Sequence, residues 1–96
     1  MDEEERLIIW HILTRLRNMR KWGGAHSELK RVIKSLPTHL RESKKGRKQV
    51  NEAIKSMVNY GFLLIKPSTQ ELHVSLNPRK VKEISEFLQG EQNGIV

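Results

Sequence analysis

A chain of 96 residues, 36% apolar and 30% charged, has room for one compact domain with a modest core and too little length for a second. The absence of cysteine removes disulfide scaffolds, thiolate nucleophiles and cysteine-based zinc sites, and the longest apolar run, Phe62-Leu63-Leu64-Ile65 with its preceding Gly61, is far short of the roughly 20 residues of a membrane helix. The net charge of +7 points to an acidic partner, and the charge is concentrated, since thirteen Lys and Arg between Arg6 and Lys48 are opposed only by Glu28 and Glu42.

The chain opens Met1-Asp2-Glu3-Glu4-Glu5, the reverse of the basic start of a secretory signal, so a cytoplasmic location is expected. Asp2 is a suitable N-cap for a first helix that runs to about Lys21, with Arg15, Arg17, Arg20 and Lys21 favoured at its end by the helix dipole. Ile9, Ile12, Leu13, Leu16 and Met19 share one face at helical spacing and are assigned to the core. Leu7, Trp10 and Thr14 project from another side of the same helix, which is then partly apolar and needs a cover. They are the candidate interface of a homodimer formed through the first and last helices.

Trp22-Gly23-Gly24-Ala25 breaks the first helix and leads into a very short strand. Ser27 caps a second helix of about ten residues, which turns Leu29, Val32, Ile33 and Leu36 inward and stops before Pro37. A polar, basic connection follows over residues 37–46. The third helix, over residues 47–60, carries Val50, Ala53, Ile54, Met57 and Val58 at helical spacing and is stopped by Gly61. Residues 62–66 and 72–76 read as two short strands joined by Pro67-Ser68-Thr69-Gln70-Glu71, a hairpin. Asn77 as N-cap and Pro78 at the first helical position start a last helix, with Val81, Ile84, Phe87 and Leu88 on its apolar face. The expected fold is mainly α with a small β-hairpin over residues 1–90, followed by a flexible C-terminal tail over 91–96.

This order of elements, and the stretches VNEAIKSMVNYGFLLIK (residues 50–66) and HVSLNPRKVKEISEFL (residues 73–88) above all, resembles the winged-helix-turn-helix proteins, in particular small archaeal and bacterial regulators of multiple-antibiotic-resistance-regulator type. The resemblance covers roughly residues 5–88. It implies a double-stranded DNA-binding protein, a transcriptional regulator, whose third helix enters the major groove. Two features depart from the family pattern. The connection between residues 36 and 46 exceeds the usual turn of about 3–4 residues, and the hairpin tip has only the neighbouring Lys66 as a cation, so little affinity is expected from the wing.

Helical geometry sets Lys45, Lys48, Gln49, Glu52, Lys55 and Ser56 opposite the apolar stripe of the third helix, with Asn51 at the margin. Lys and Arg pair with guanine acceptors or phosphates, and Asn and Gln with adenine. Arg41, Lys44, Lys45, Arg47 and Lys48 cluster at the entrance to that helix, a density of charge that attracts polyanions by counterion release. The candidate DNA-binding set is therefore Arg41, Lys44, Lys45, Arg47, Lys48, Gln49, Asn51, Lys55, Ser56 and Lys66. The plain alternative for the helix face is a solvated ion-pair ladder of Lys48, Glu52 and Lys55. The alternative for the whole protein is a winged-helix adaptor whose basic surface meets an acidic protein. His11, His26, His39 and His73 are widely separated and show no metal-ligand spacing, and no nucleophile elbow or phosphate loop is present. No catalysis, metal or cofactor is assigned.

Overall fold

Asp2 opens the first helix as the sequence expects: its carboxylate accepts from the Glu5 amide at 2.7 Å, satisfying one of the donors that every helix start leaves unpaired. The structure, a computed structural model, describes residues 2–95 and, at the C-terminal end, side chains only through residue 90. Helix α1 spans Glu3–Asn18 and fully buries Ile8, Ile9, Ile12, Leu13 and Leu16. Met19, expected in that stripe, is 37% exposed because the regular helix has already ended and Met19 forms its C-cap. Arg20 follows in the left-handed region (φ 57°), the position that glycine usually takes after a helix. The Lys21 amide then closes back on the Leu16 carbonyl at 2.9 Å.

The next expectation is corrected. Ser27 does not cap a long second helix, because Ser27–Glu28 forms strand β1, paired with Val74 and His73 of a later strand. Pairing satisfies backbone groups on what would otherwise be a bare strand edge, and helix α2 starts only after it, at Leu29–Lys34. The connection expected over residues 37–46 is not all loop, for it contains a four-residue helix α3 (Thr38–Arg41) that buries Leu40. Ser43 then caps helix α4 (Lys44–Asn59) by accepting from the Gly46 amide at 2.8 Å, so this helix starts three residues earlier than the sequence suggests. Gly46, Val50, Ala53 and Met57 form its buried stripe, while Val58 is 40% exposed.

Strands β2 (Leu63–Pro67) and β3 (Leu72–Leu76) form the expected hairpin, in register Leu63↔Leu76 through Pro67↔Leu72, with reciprocal Ser68 and Glu71 backbone bonds across the tip. The sheet order is β1-β3-β2, all antiparallel. Asn77 accepts from the Arg79 amide and donates to the Gly61 carbonyl, which fixes the exit from β3. A 3-10 turn, Pro78–Lys80, leads into helix α5 (Val81–Ile95), where Ile84 and Leu88 are buried and Val81 is exposed. The helix continues past Gly90, and the tail expected over 91–96 falls on residues whose side chains lie outside the described set.

Helix α1 is the centre of the arrangement and packs on α4, α5, α2 and β3. The fold is thus mainly helical with a small three-stranded antiparallel sheet. Leu7 and Trp10 lie half-buried against its core, and Thr14 is also half-buried, with a hydroxyl that has no hydrogen-bond partner among the described residues. The chain itself therefore covers much of the side of α1 expected to need a partner. Among the described residues no helix is long and apolar enough to cross a membrane.

Candidate nucleic-acid interface

The faces of α4 follow from its buried stripe. With Gly46, Val50, Ala53 and Met57 inward, Lys44, Lys48, Asn51 and Lys55 recur at steps of four, three and four residues and form one exposed row on the opposite side. The stripe includes Gly46 and leaves Val58 outside, which rotates the helix relative to the sequence expectation. Asn51 is exposed and lies at the edge of the outward row, beside Arg41 and Arg47. Gln49 and Ser56 move to the flank, where both are half-buried.

Gln49 is also engaged: its amide donates to the Asp2 carboxylate at 3.2 Å and ties the first turns of α4 to the start of α1. Chiefly the Glu5 amide, with help from Gln49 and the nearby Lys45 charge, holds the Asp2 carboxyl below its ordinary value. Lys55 stands 3.7 Å from Glu52, an exposed pair of the kind that contributes little to stability.

The cationic lead-in divides in two. Lys44, Lys45 and Lys48 are exposed and make no ion pair among the described residues. Arg41 is half-buried and donates through Nε to the Leu36 carbonyl at 3.1 Å, with its outer nitrogen 3.3 Å from Glu42. Arg47 donates to the Glu42 backbone carbonyl at 2.8 Å. Both arginines thus tie carbonyls left open at the ends of α2 and α3, a role that charge counting does not show. Arg47 remains exposed and can still present its other donors.

Lys66 is not gathered with this row. Side chains alternate along β2, so Ile65 turns toward Ile54, Lys55 and Val58 of α4 while Lys66 turns to the other face, opposite His73. There it joins His26 and Lys21. The two histidines, expected to be separate surface residues, meet: His26 Nδ1 and His73 Nδ1 are 2.9 Å apart with their rings perpendicular. Burial, then His73, Lys66 and Lys21, hold the His26 imidazole below its ordinary pKa. These residues are 47 positions apart, and the strand register that joins them has no signature in local spacing.

A shallow apolar groove flanks the C-terminal half of α4, where Leu29, Ile54, Val58, Ile65 and Leu72 converge. Val58, Ile65 and Leu72 are 40%, 36% and 48% exposed. Among the described residues no group of three or more His, Asp or Glu is arranged to hold a metal ion. No protein family, curated protein or solved structure matches this chain.

Proposed function

We propose that this chain is a winged-helix protein of the cytoplasm that binds double-stranded DNA, a transcriptional regulator that reads the major groove with α4. The observation that carries the reading is the exposed row Lys44, Lys48, Asn51 and Lys55, opposite the buried stripe and beside Lys45 and Arg47. An α-helix fits the major groove of B-DNA. In it Asn51, at the edge of the row, would read adenine through its amide, and the lysines would take phosphates or guanine acceptors. The β2–β3 hairpin would be the wing, and its tip, residues 68–71, adds Glu71 and no cation, so it would grip weakly.

The test is fluorescence anisotropy of the full chain on a random duplex across a salt series. Phosphate neutralisation requires that affinity fall steeply as salt rises. A triple variant, Lys44→Ala, Lys48→Ala and Lys55→Ala, is expected to weaken binding and flatten the slope. Unchanged affinity and slope would remove α4 from the site. A homodimer through α1 and α5 would match a two-fold operator, and Leu7, Trp10 and Thr14 would contribute what they leave exposed. Sedimentation at micromolar concentration that returns only an 11.2 kDa species would overturn the dimer.

One observation favours the second reading, a protein-interaction adaptor: the groove between α4 and the hairpin is apolar, with three large side chains more than a third exposed. On that reading duplex DNA does not bind even at low salt.

A further inference from the structure

We propose that the cleft between the end of α1, the loop to β1 and the start of α2 is a binding site for a small, free phosphate monoester. The cleft holds about 480 Å³, within the range of roughly 300–1,000 Å³ typical of small-molecule sites. Three permanent cations reach it from three separate parts of the chain: Arg15 from α1, Lys21 from the loop and Arg31 from α2. Its one carboxylate, Glu28, is 3.4 Å from Arg31. Neither Arg15 nor Lys21 has a carboxylate partner among the described residues. The lining is therefore net positive before the histidines are counted, which disfavours a metal ion and favours an anion.

The His26–His73 pair forms part of the wall. One proton held between two ring nitrogens leaves a neutral pair that can switch to donating at both rings when charged. The groups facing it are Lys21 and Lys66 near His26, and Glu71 at 4.0 Å from the far nitrogen of His73. A dianion in the cleft would offset those lysines and draw a proton onto the pair. A phosphate monoester suits the lining better than a carboxylate, because its three terminal oxygens can take an arginine fork, an ammonium and an imidazolium from different directions.

Lys21 is held by the backbone on both sides. Its amide donates to the Leu16 carbonyl at 2.9 Å and its carbonyl accepts from Leu76 at 2.7 Å. This path requires the left-handed Arg20, a conformation that non-glycine residues keep only where the surroundings impose it. No residue of α4 lines the cleft, so the site stands apart from the proposed DNA-reading row and does not depend on it.

The experiment is a titration of the full chain with phenyl phosphate, against sodium chloride at matched ionic strength, followed by amide and imidazole NMR signals. Saturable shifts at Lys21, His26 and His73 are expected. The imidazole titration midpoint should rise on binding, and Arg15→Ala and Lys21→Ala should each weaken affinity about tenfold with the rest of the amide spectrum retained. Shifts that fail to saturate, that chloride reproduces, or that survive both substitutions overturn the proposal. A duplex arm separates the sources of phosphate. If phenyl phosphate does not bind and the same substitutions weaken duplex binding, the cations serve the DNA backbone and the small-ligand site is overturned.

Discussion

A Cβ on Gly46 would stand 2.6 Å from the carbonyl oxygen of Leu40 and 3.0 Å from the hydroxyl of Ser43, so the first turn of α4 lies against α3 only because residue 46 has no side chain. Gly46→Ala is expected to destabilise the protein. Alanine gains about 1 kcal/mol of helix propensity over glycine, but overpacking against backbone costs about 1–3 kcal/mol, and the carbonyl it meets belongs to the buried Leu40. A net loss of up to about 2 kcal/mol would appear in urea unfolding as a lower midpoint with an unchanged slope. A midpoint that holds or rises would mean that α3 shifts freely away from α4.

The same contact shows where sequence reading stops. The long helices and the hairpin were legible because each repeats apolar residues at its own period, as with Val50, Ala53 and Met57. Helix α3 has no period to read, since four residues carry one buried side chain, Leu40, and tertiary packing alone accounts for it. Ser27 has the chemistry of a helix cap, yet pairing with Val74 claims it for a strand. In the candidate site, the cationic character of residues 41–55 was evident, but the small rotation that exposes Asn51 and carries Gln49 to the flank depends on which apolar residues the core takes. Charge counting also treats Arg41 and Lys48 alike, although only Arg41 is tied to a backbone carbonyl.

That difference separates stability from binding. Arg41→Ala removes a hydrogen bond to the Leu36 carbonyl from a half-buried side chain and is expected to cost about 1 kcal/mol of stability. Lys48→Ala, at an exposed position without an ion pair among the described residues, should leave stability within about 0.5 kcal/mol. On duplex DNA the order reverses for the salt dependence. Lys48→Ala should reduce the slope of log affinity against log salt by about one, the loss of a single phosphate contact. Thermal melts and salt-series anisotropy on the two variants check both halves. A stable Arg41→Ala or an unmoved slope for Lys48→Ala contradicts the division.

Arg20 supplies a substitution expected to stabilise. Its φ of 57° places a Cβ in the crowded left-handed region, where glycine has no such conflict. The Lys21 amide to Leu16 carbonyl bond that closes the helix is a backbone contact and survives the change. Arg20→Gly should therefore gain about 1 kcal/mol after the greater freedom of glycine in the unfolded chain is subtracted. For a domain of this size that is roughly 4–8 °C in melting temperature. Arg20→Ala keeps the Cβ and should gain little, so equal gains in both variants would assign the effect to the lost charge instead.

Acid should loosen the fold in a window set by two histidines. Burial, and then the His39 charge, hold His11 below its ordinary value of 6.5. Burial, His73, Lys66 and Lys21 do the same to His26. Each group takes up a proton more readily in the unfolded chain than in the folded one, so their contribution to stability is present above pH 6.5 and is lost as pH falls through the lower folded values. Charging both members of the His26–His73 pair also removes the hydrogen bond between their facing nitrogens. Melting temperature is expected to fall between about pH 7 and pH 5, and the fall should shrink in a His11→Asn, His26→Asn double variant. Asp2 adds a separate loss at lower pH, beginning near its ordinary value of 3.8, because the Glu5 amide favours its ionised form in the folded state. A melting temperature that is flat or rising from pH 7 to pH 5 would show that neither imidazole resists protonation in the fold.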